Sequence, residues 1–305
     1  MALNLKTTRE HFRNQGIFHT PVELAQLMKE FSDIQDYKDV YDPTCGHGNL
    51  LSVFPDNIRK YGQEIDPEQA RYAMEHIVNA EVVAGDTLTD PAFMNRKFKV
   101  IMANPPFSVR WDNTKLDERF SQCPFAAPAS KADYAFILHI LYMLADNGVA
   151  IIMCFPGVLY RGNSEGKIRQ WLIEQNYLDK VVRIPGGKFI DTNIDTCLLI
   201  LKKNRQTRRV EFIDKECELN RFVDYKEIED NGYILSVNNY VQAPEPEKPP
   251  IDQRKLEIEA QDRFIGHLKA QIKLTFTIAK IEGWDLHKRL LDKIKEVIKC
   301  YDEIL

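Results

Sequence analysis

The four residues Asn104-Pro105-Pro106-Phe107 hold the densest chemistry in the sequence. The carboxamide oxygen of Asn104 and the backbone carbonyl of Pro105 can both accept hydrogen bonds from one amino group. Together they would stabilise the positive charge that develops as its nitrogen attacks an electrophile. Paired prolines keep that carbonyl still, since each fixes its own φ and restricts the residue before it. Phe107 adds a flat face for the ring that carries the amine. An exocyclic amine on a heteroaromatic base needs such help, because its lone pair is delocalised into the ring, and a base inside a duplex must first be swung out. Taken alone, the same four residues also describe a strand that ends in a proline turn.

Three acids precede this motif, each after a short apolar run. In Asp42-Pro43-Thr44-Cys45-Gly46-His47-Gly48 two glycines one residue apart let the backbone approach a ligand, and Asp42 suits an ammonium group. A lone G-x-G is a weak sign, and the run continues Asn49-Leu50-Leu51, without the third glycine of a dinucleotide fingerprint. Within Gln63-Glu64-Ile65-Asp66, Glu64 is the acid for a pair of ribose hydroxyls and Asp66 the cap of a following helix. Gly85-Asp86-Thr87 supplies the third. Each acid alone also reads as a solvated turn residue or cap. In this order they describe one ligand with an amine, a diol and a purine, held by Asp42, Thr44, Cys45, Gly46, Gly48, Glu64, Ile65, Asp86, Thr87 and Asn104.

The elements that must position these residues are legible as alternating strands and helices between about residues 37 and 202. Val40-Tyr41, Tyr61 to Ile65, Glu81 to Ala84, Val100 to Ala103, Val149 to Met153, Lys180 to Ile184 and Thr196 to Leu201 make seven candidate strands. This predicts an α/β fold with a seven-stranded, mostly parallel sheet and helices on both faces. Thr20-Pro21-Val22-Glu23 reads as a capping box ahead of the stripe Leu24, Leu27, Met28, Phe31. Further helices are predicted from Asp66-Pro67 and over 131–144. The domain spans 1–242, a proline-rich linker 243–250, and a charged helical tail 251–305. In the tail, Leu286, Leu290, Ile294, Val297 and Tyr301 form one apolar stripe, to pack on its own chain or to dock a partner. Lys202, Lys203, Arg205, Arg208 and Arg209 cluster beside a hairpin turn or sheet edge, as a solvated edge or as phosphate contacts.

Bulk properties narrow the partners. A net charge of −4 opposes tight unaided binding to nucleic acid, which is held largely by cations, so either a local basic face or a partner must supply the grip. The six cysteines are scattered and the seven histidines form no metal-binding spacing, so no metal is expected. No apolar run is long enough to span a bilayer and the N-terminus lacks a signal core, which predicts a cytoplasmic protein.

These pieces in this order resemble the gamma class of amino-group DNA methyltransferases, whose cofactor motifs precede N-P-P-[FYW] and whose further cofactor element lies at the N-terminus. Gly16-Ile17-Phe18-His19-Thr20-Pro21 resembles that element, with His19 where the class has a second aromatic. The chain is most similar to modification subunits of type I restriction systems. Lys131 to Phe136, Asp146 to Ala150, Ile184 to Phe189, Thr196 to Lys202 and Gly232 to Val241 carry that likeness. The resemblance implies a Rossmann-like fold, S-adenosylmethionine as cofactor, and N6 of adenine in double-stranded DNA as target. It implies Phe18 and Thr20 in the methionine pocket, Asn104, Pro105, Pro106 and Phe107 as catalytic residues, and Phe189 stacking on the flipped base opposite Phe107; Phe189 also reads as a plain core residue. It further implies a DNA specificity subunit docked on the tail, a possible restriction subunit, and a long helical domain before Gly16 that this chain lacks. Two other readings stay open: an N-P-P-[FY] enzyme acting on a protein glutamine or on ribosomal RNA, and a catalytically silent binding subunit.

Overall fold

The structure, a computed structural model, describes residues 20–34, 36–114, 117–187, 195–242, 253–283, 290–296 and 299. The chain divides into two compact units, Met1–Ala243 and Pro244–Leu305.

The first unit is built on one sheet. Its strands are β1 (Asp39–Asp42), β2 (Arg59–Glu64), β3 (Ala80–Ala84), β4 (Phe98–Ala103), β5 (Leu144–Cys154), β6 (Leu178–Ile184), β7 (Thr196–Lys202), β8 (Arg209–Asp214) and β9 (Leu219–Asp224). The order is β3-β2-β1-β4-β5-β7-β6-β8-β9. The first five strands pair in parallel, β7 runs antiparallel between β5 and β6, and β8 is parallel to β6. All seven strands expected from the sequence are present, and the sheet continues by two more. The chain moves outward from β1 to β3, then returns to lay β4 on the other side of β1. That reversal opens a crevice beyond the carboxyl ends of β1 and β4, where open α/β sheets take ligands.

Alternation along the strands covers both faces. Ile101 and Ala103 of β4 and Ala150 and Ile152 of β5 join one core layer, while Val100, Met102, Val149 and Ile151 join the other. Helices α1 (Val22–Glu30), α2 (Asn49–Ser52) and α3 (Pro67–His76) close the second layer. The first is closed by α5 (Asp133–Met143), which follows the short α4 (Glu118–Ser121), and by α6 (Asn163–Glu174). Helix α5 is apolar nearly all round and buried on almost every residue, as a central helix must be. A short helix α7 (Tyr225–Asp230) follows β9.

Two local readings change. Pro21 is the N-cap of α1 with no side-chain cap, so the expected capping box is not formed; the Thr20 hydroxyl instead accepts a hydrogen bond from Asn104 at 3.0 Å. The basic cluster lies at the end of β7, inside the sheet rather than at its edge, and Lys202, Lys203 and Arg205 are held within the chain while Arg208 and Arg209 are exposed. Lys202 reaches Asp33 (2.6 Å) and Asp179 (3.2 Å), Arg205 reaches Asp179 (3.0 Å), and Lys203 donates to the Leu144 carbonyl (2.7 Å). Arg208 and Arg209 lie over the rings of Tyr225 and Phe222.

The second unit contains helix α8 (Gln253–Glu282), 30 residues long, or about 45 Å at the usual rise. Residues 290–296 are helical again and include Leu290 and Ile294 of the anticipated stripe; Leu286, Val297, Tyr301 and the linker 243–250 lie outside the described residues. No helix among the described residues is long and apolar enough to cross a membrane, and no group of three or more His, Cys, Asp or Glu residues there could hold a metal.

Burial predicts a sharp contrast between the units. Ile137 of α5 is fully buried, and Ile137→Ala should cost about 2–5 kcal/mol. Ile258 of α8 is 55% exposed, and Ile258→Ala should stay within about 0.5 kcal/mol. Urea denaturation of the full chain reads both; similar losses would contradict the assignment of core and surface.

Candidate functional site

A cavity of about 210 Å³ opens where β1, β2, β3 and β4 end. Twelve of the residues singled out from the sequence line it: Thr20, Asp42, Thr44, Cys45, Gly46, Glu64, Ile65, Asp86, Thr87, Asn104, Pro105 and Pro106. Phe18 and Phe189 lie outside the described residues. Gly48 and Phe107 are not among the lining residues. Gly48 starts α2 at φ +85°, and a Cβ there would sit 2.6 Å from the Ile77 side chain, so its glycine is required for packing against α3. The ring of Phe107 packs beside Phe155, with centroids 6.5 Å apart.

The three acids differ in setting. Asp42 is 1% exposed, and its Oδ1 accepts the backbone N–H of Thr44 at 2.9 Å. Burial pushes its carboxyl up to about 8, with the nearby Glu64 adding to the effect and the Thr44 hydrogen bond opposing it. The two oxygens of Glu64 accept the N–H groups of Gly46 (2.8 Å) and Asp66 (3.0 Å), and each keeps a further lone pair. Asp86 accepts from the Leu88 N–H (2.9 Å) and the Thr89 hydroxyl (2.9 Å). The Thr87 hydroxyl donates to the Pro43 carbonyl, tying the loop after β3 to the loop after β1. Burial pushes the Cys45 thiol up, which keeps it protonated and inert. Two buried polar atoms at this wall, Thr44 Oγ1 and Gln69 Oε1, have no hydrogen-bond partner among the described residues. A cleft with acids and unmet polar atoms fits a ligand bearing hydroxyl and amino donors.

At the end of β4 the amide of Asn104 is oriented. Its Nδ2 donates to Thr20 Oγ1 at 3.0 Å, and Thr20 is in turn held by Asn49, whose Nδ2 donates to the Thr20 carbonyl at 2.8 Å. Asn104 Oδ1 is thereby left as an acceptor at the cavity, next to the buried Pro105.

The turn that follows is braced from beneath. Ser108 adopts φ +54°, uncommon for a residue with a side chain. Its N–H donates to Asp133 Oδ1 at 3.3 Å and its hydroxyl accepts from Arg161 at 3.0 Å. The same guanidinium pairs with Asp133 (3.5 Å) and Glu165 (3.2 Å), both buried, and lies over the Phe155 ring at 5.9 Å. One cation thus serves two buried acids and, through Ser108 and Phe155, the position of Phe107.

Sequence reasoning missed several lining residues, among them Gln69, Arg110, Trp111 and Phe136. Gln69 had a signal, three residues after a helix cap and so on the turn facing the loop. A second missed group lies behind the wall. Arg119, 1% exposed, donates to the carbonyls of Thr87 and Leu88 (both 2.7 Å) and to His139 Nδ1 at 3.0 Å. Burial, aided by Arg119, depresses the His139 imidazole to about 3. Since Arg119 can only donate, Nδ1 accepts and Nε2–H donates to the Tyr41 hydroxyl at 3.2 Å.

Comparison with known proteins identifies the family and the fold. The methylase subunit of the type I restriction enzyme MpnII from Mycoplasma pneumoniae is 32% identical over 96% of this chain and 62% of its own length. The crystal structure of a type I restriction-modification system methyltransferase subunit from Streptococcus thermophilus superposes with a TM-score of 0.68 at 33% identity, over 74% of this chain and 59% of that one. This chain therefore spans about six-tenths of the relatives it matches. A class I S-adenosylmethionine-dependent methyltransferase structure from Listeria monocytogenes, described as putative, shares the fold at a TM-score of 0.50 and 16% identity, over 63% of this chain and 62% of that one. The fold is that of S-adenosylmethionine-dependent methyltransferases. The sequence profile of N-6 DNA methylases covers residues 4–223, which includes every strand through β9 and the whole cleft, and this chain belongs to that family.

Proposed function

We propose that this chain transfers a methyl group from S-adenosylmethionine to N6 of adenine in double-stranded DNA, as the modification subunit of a type I-like restriction-modification system. One observation carries the reading: an asparagine amide, turned by Thr20 so that its oxygen accepts, lines the same cavity as three strand-end acids. When bound, the cofactor supplies a methyl carbon made electrophilic by the adjacent sulfonium. Asp42 faces its ammonium, Glu64 its ribose hydroxyls, and Asp86 and Thr87 its purine, with Phe18 assigned to the methionine end by resemblance. Asn104 Oδ1 and the Pro105 carbonyl accept hydrogen bonds from the two N–H groups of the target amine, which draws its lone pair out of the ring and stabilises the charge that forms on nitrogen until one proton leaves to water. Phe107 holds the extruded base, with Phe189 assigned to its other face by resemblance alone.

Residues 1–242 carry this chemistry, and 251–305 dock a partner. On α8, Ile258, Ile265 and Ile272 recur every seven residues and are exposed, with Leu268 between the last two. A seven-residue repeat is the seam of a coiled coil, which suits the helices of a DNA specificity subunit, with a restriction subunit joining the same assembly. The work is done in the cytoplasm, where the host DNA lies.

Long-read detection of modified bases in DNA from cells expressing the chain with a neighbouring specificity subunit should reveal N6-methyladenine at defined sites. Asn104→Ala should abolish it while the protein still binds S-adenosylhomocysteine; undiminished methylation in that variant would falsify the assignment.

Asp42 gives a pH signature. Its folded-state pKa, raised from the ordinary 3.8 to about 8, means that its contribution to stability is full below about pH 4 and is lost as pH rises through about 8. An ammonium partner reverses this by holding the carboxylate ionised. Binding of S-adenosylhomocysteine at pH 7 should therefore release a proton, seen as a buffer-dependent enthalpy in calorimetry and absent in Asp42→Asn. A buffer-independent enthalpy in the parent would remove Asp42 from the ammonium site.

The brace makes a third prediction. Arg161→Met leaves Asp133 and Glu165 unpaired and should cost about 3–5 kcal/mol. Adding Asp133→Asn should restore more than half, as read by thermal denaturation at pH 7; no recovery would show that the guanidinium is not balancing these acids.

A further inference from the structure

A flat, rigid wall of the cleft has no role in the reading above. Trp111 lines the cavity together with Leu88 and is half-buried. It is fixed at three points: its backbone N–H donates to the Ala129 carbonyl (3.0 Å), its indole Nε1–H donates to the Pro128 carbonyl (3.0 Å), and its ring lies 5.1 Å from that of Phe120. The neighbouring Val109 carbonyl accepts the Ala132 N–H at 2.8 Å, so the 109–111 segment is zipped onto 129–132.

Location follows from the residue beside Phe120. Arg119 grips the carbonyls of Thr87 and Leu88, so the scaffold that holds Trp111 also holds the loop after β3. The loop after β3 presents Asp86 and Leu88 to the same cavity that Trp111 lines, so the indole is tied to the loop assigned to the purine. Its only polar hydrogen is already spent on Pro128, so what it offers a ligand is a π surface with no hydrogen-bond demand. Such a face recognises a flat heteroaromatic ring, and it is pre-set, so little side-chain entropy is lost on binding.

We propose that Trp111 is a purine-binding residue, its indole forming the wall against which the base of an adenosine-type cofactor lies. The assignment rests on the cofactor reading given above and adds a residue to it. Phe107, whose face the motif assigns to the target base, packs beside Phe155 and does not line this cavity; Trp111, four residues further on, does.

Two ligands separate this role from the others. S-adenosylhomocysteine carries both purine and ammonium, whereas 5′-methylthioadenosine carries the purine alone. In calorimetry on the full chain, Trp111→Leu should weaken both by about tenfold, the usual scale of a base–aromatic stack. Trp111→Phe, which keeps a ring, should stay within about threefold of the parent. Asp42→Asn should weaken only S-adenosylhomocysteine. A measurement on the unmodified chain guards against a variant that fails to fold: of the three tryptophans, Trp111, Trp171 and Trp284, emission from Trp111 should be quenched by saturating 5′-methylthioadenosine, and Trp111→Phe should lose that quenching. Parental affinity of Trp111→Leu for both ligands, loss confined to S-adenosylhomocysteine, or unquenched emission in the parent each overturns the proposal while leaving the cofactor reading intact. Failure of the parent to bind either ligand overturns both.

Discussion

An amide side chain presents a donor and an acceptor on nearly identical shapes, so a site that needs the acceptor must hold the donor elsewhere. Here that is done by one hydrogen bond, from Asn104 Nδ2 to Thr20 Oγ1. Thr20 stands 84 residues away in sequence, and its own carbonyl is held by Asn49 from the glycine loop. Three segments converge on this contact: the lead-in to α1, the loop after β1, and the end of β4. The strand order brings them together, because β4 returns to the side of β1 and makes their loops neighbours.

Charge is distributed with the same economy. Lys202 and Arg205, at the end of β7, are absorbed by Asp33 and Asp179, Arg161 serves Asp133 and Glu165, and Arg119 is turned inward on carbonyls. The cleft keeps the carboxyl groups of Asp42, Glu64 and Asp86, with Arg110 beside them. That suits a small molecule with amino and hydroxyl donors and offers a polyanion few cations, in keeping with a net charge of −4.

Much of this was legible in the chain. The strands through β7 announce themselves because β-branched residues alternate between two covered faces, and the three acids stand at strand ends by simple counting. The edge was harder. In β9 only Val223 is buried, so its pattern is that of a polar loop, and β8 follows a basic run that draws attention to itself. Thr20 was misread as a helix cap because Thr-Pro-x-Glu is a local signal, whereas its hydroxyl is claimed by a residue far along the chain. Arg119 and His139 leave no spacing to detect, since the bonds that tie them to the wall join segments 20 to 98 residues apart. The side to which Phe107 turns depends on Phe155 and on the Ser108 turn, which the motif itself does not encode.

Consider, finally, the proton that Asp42 retains at neutral pH. A permanently ionised carboxylate at the floor of an acidic cleft would be a standing invitation to the magnesium and potassium of cell water. A carboxylic acid is not. On the reading proposed above, its charge emerges only when a guest with an amino group arrives to compensate it, so burial itself sets the site against simple cations.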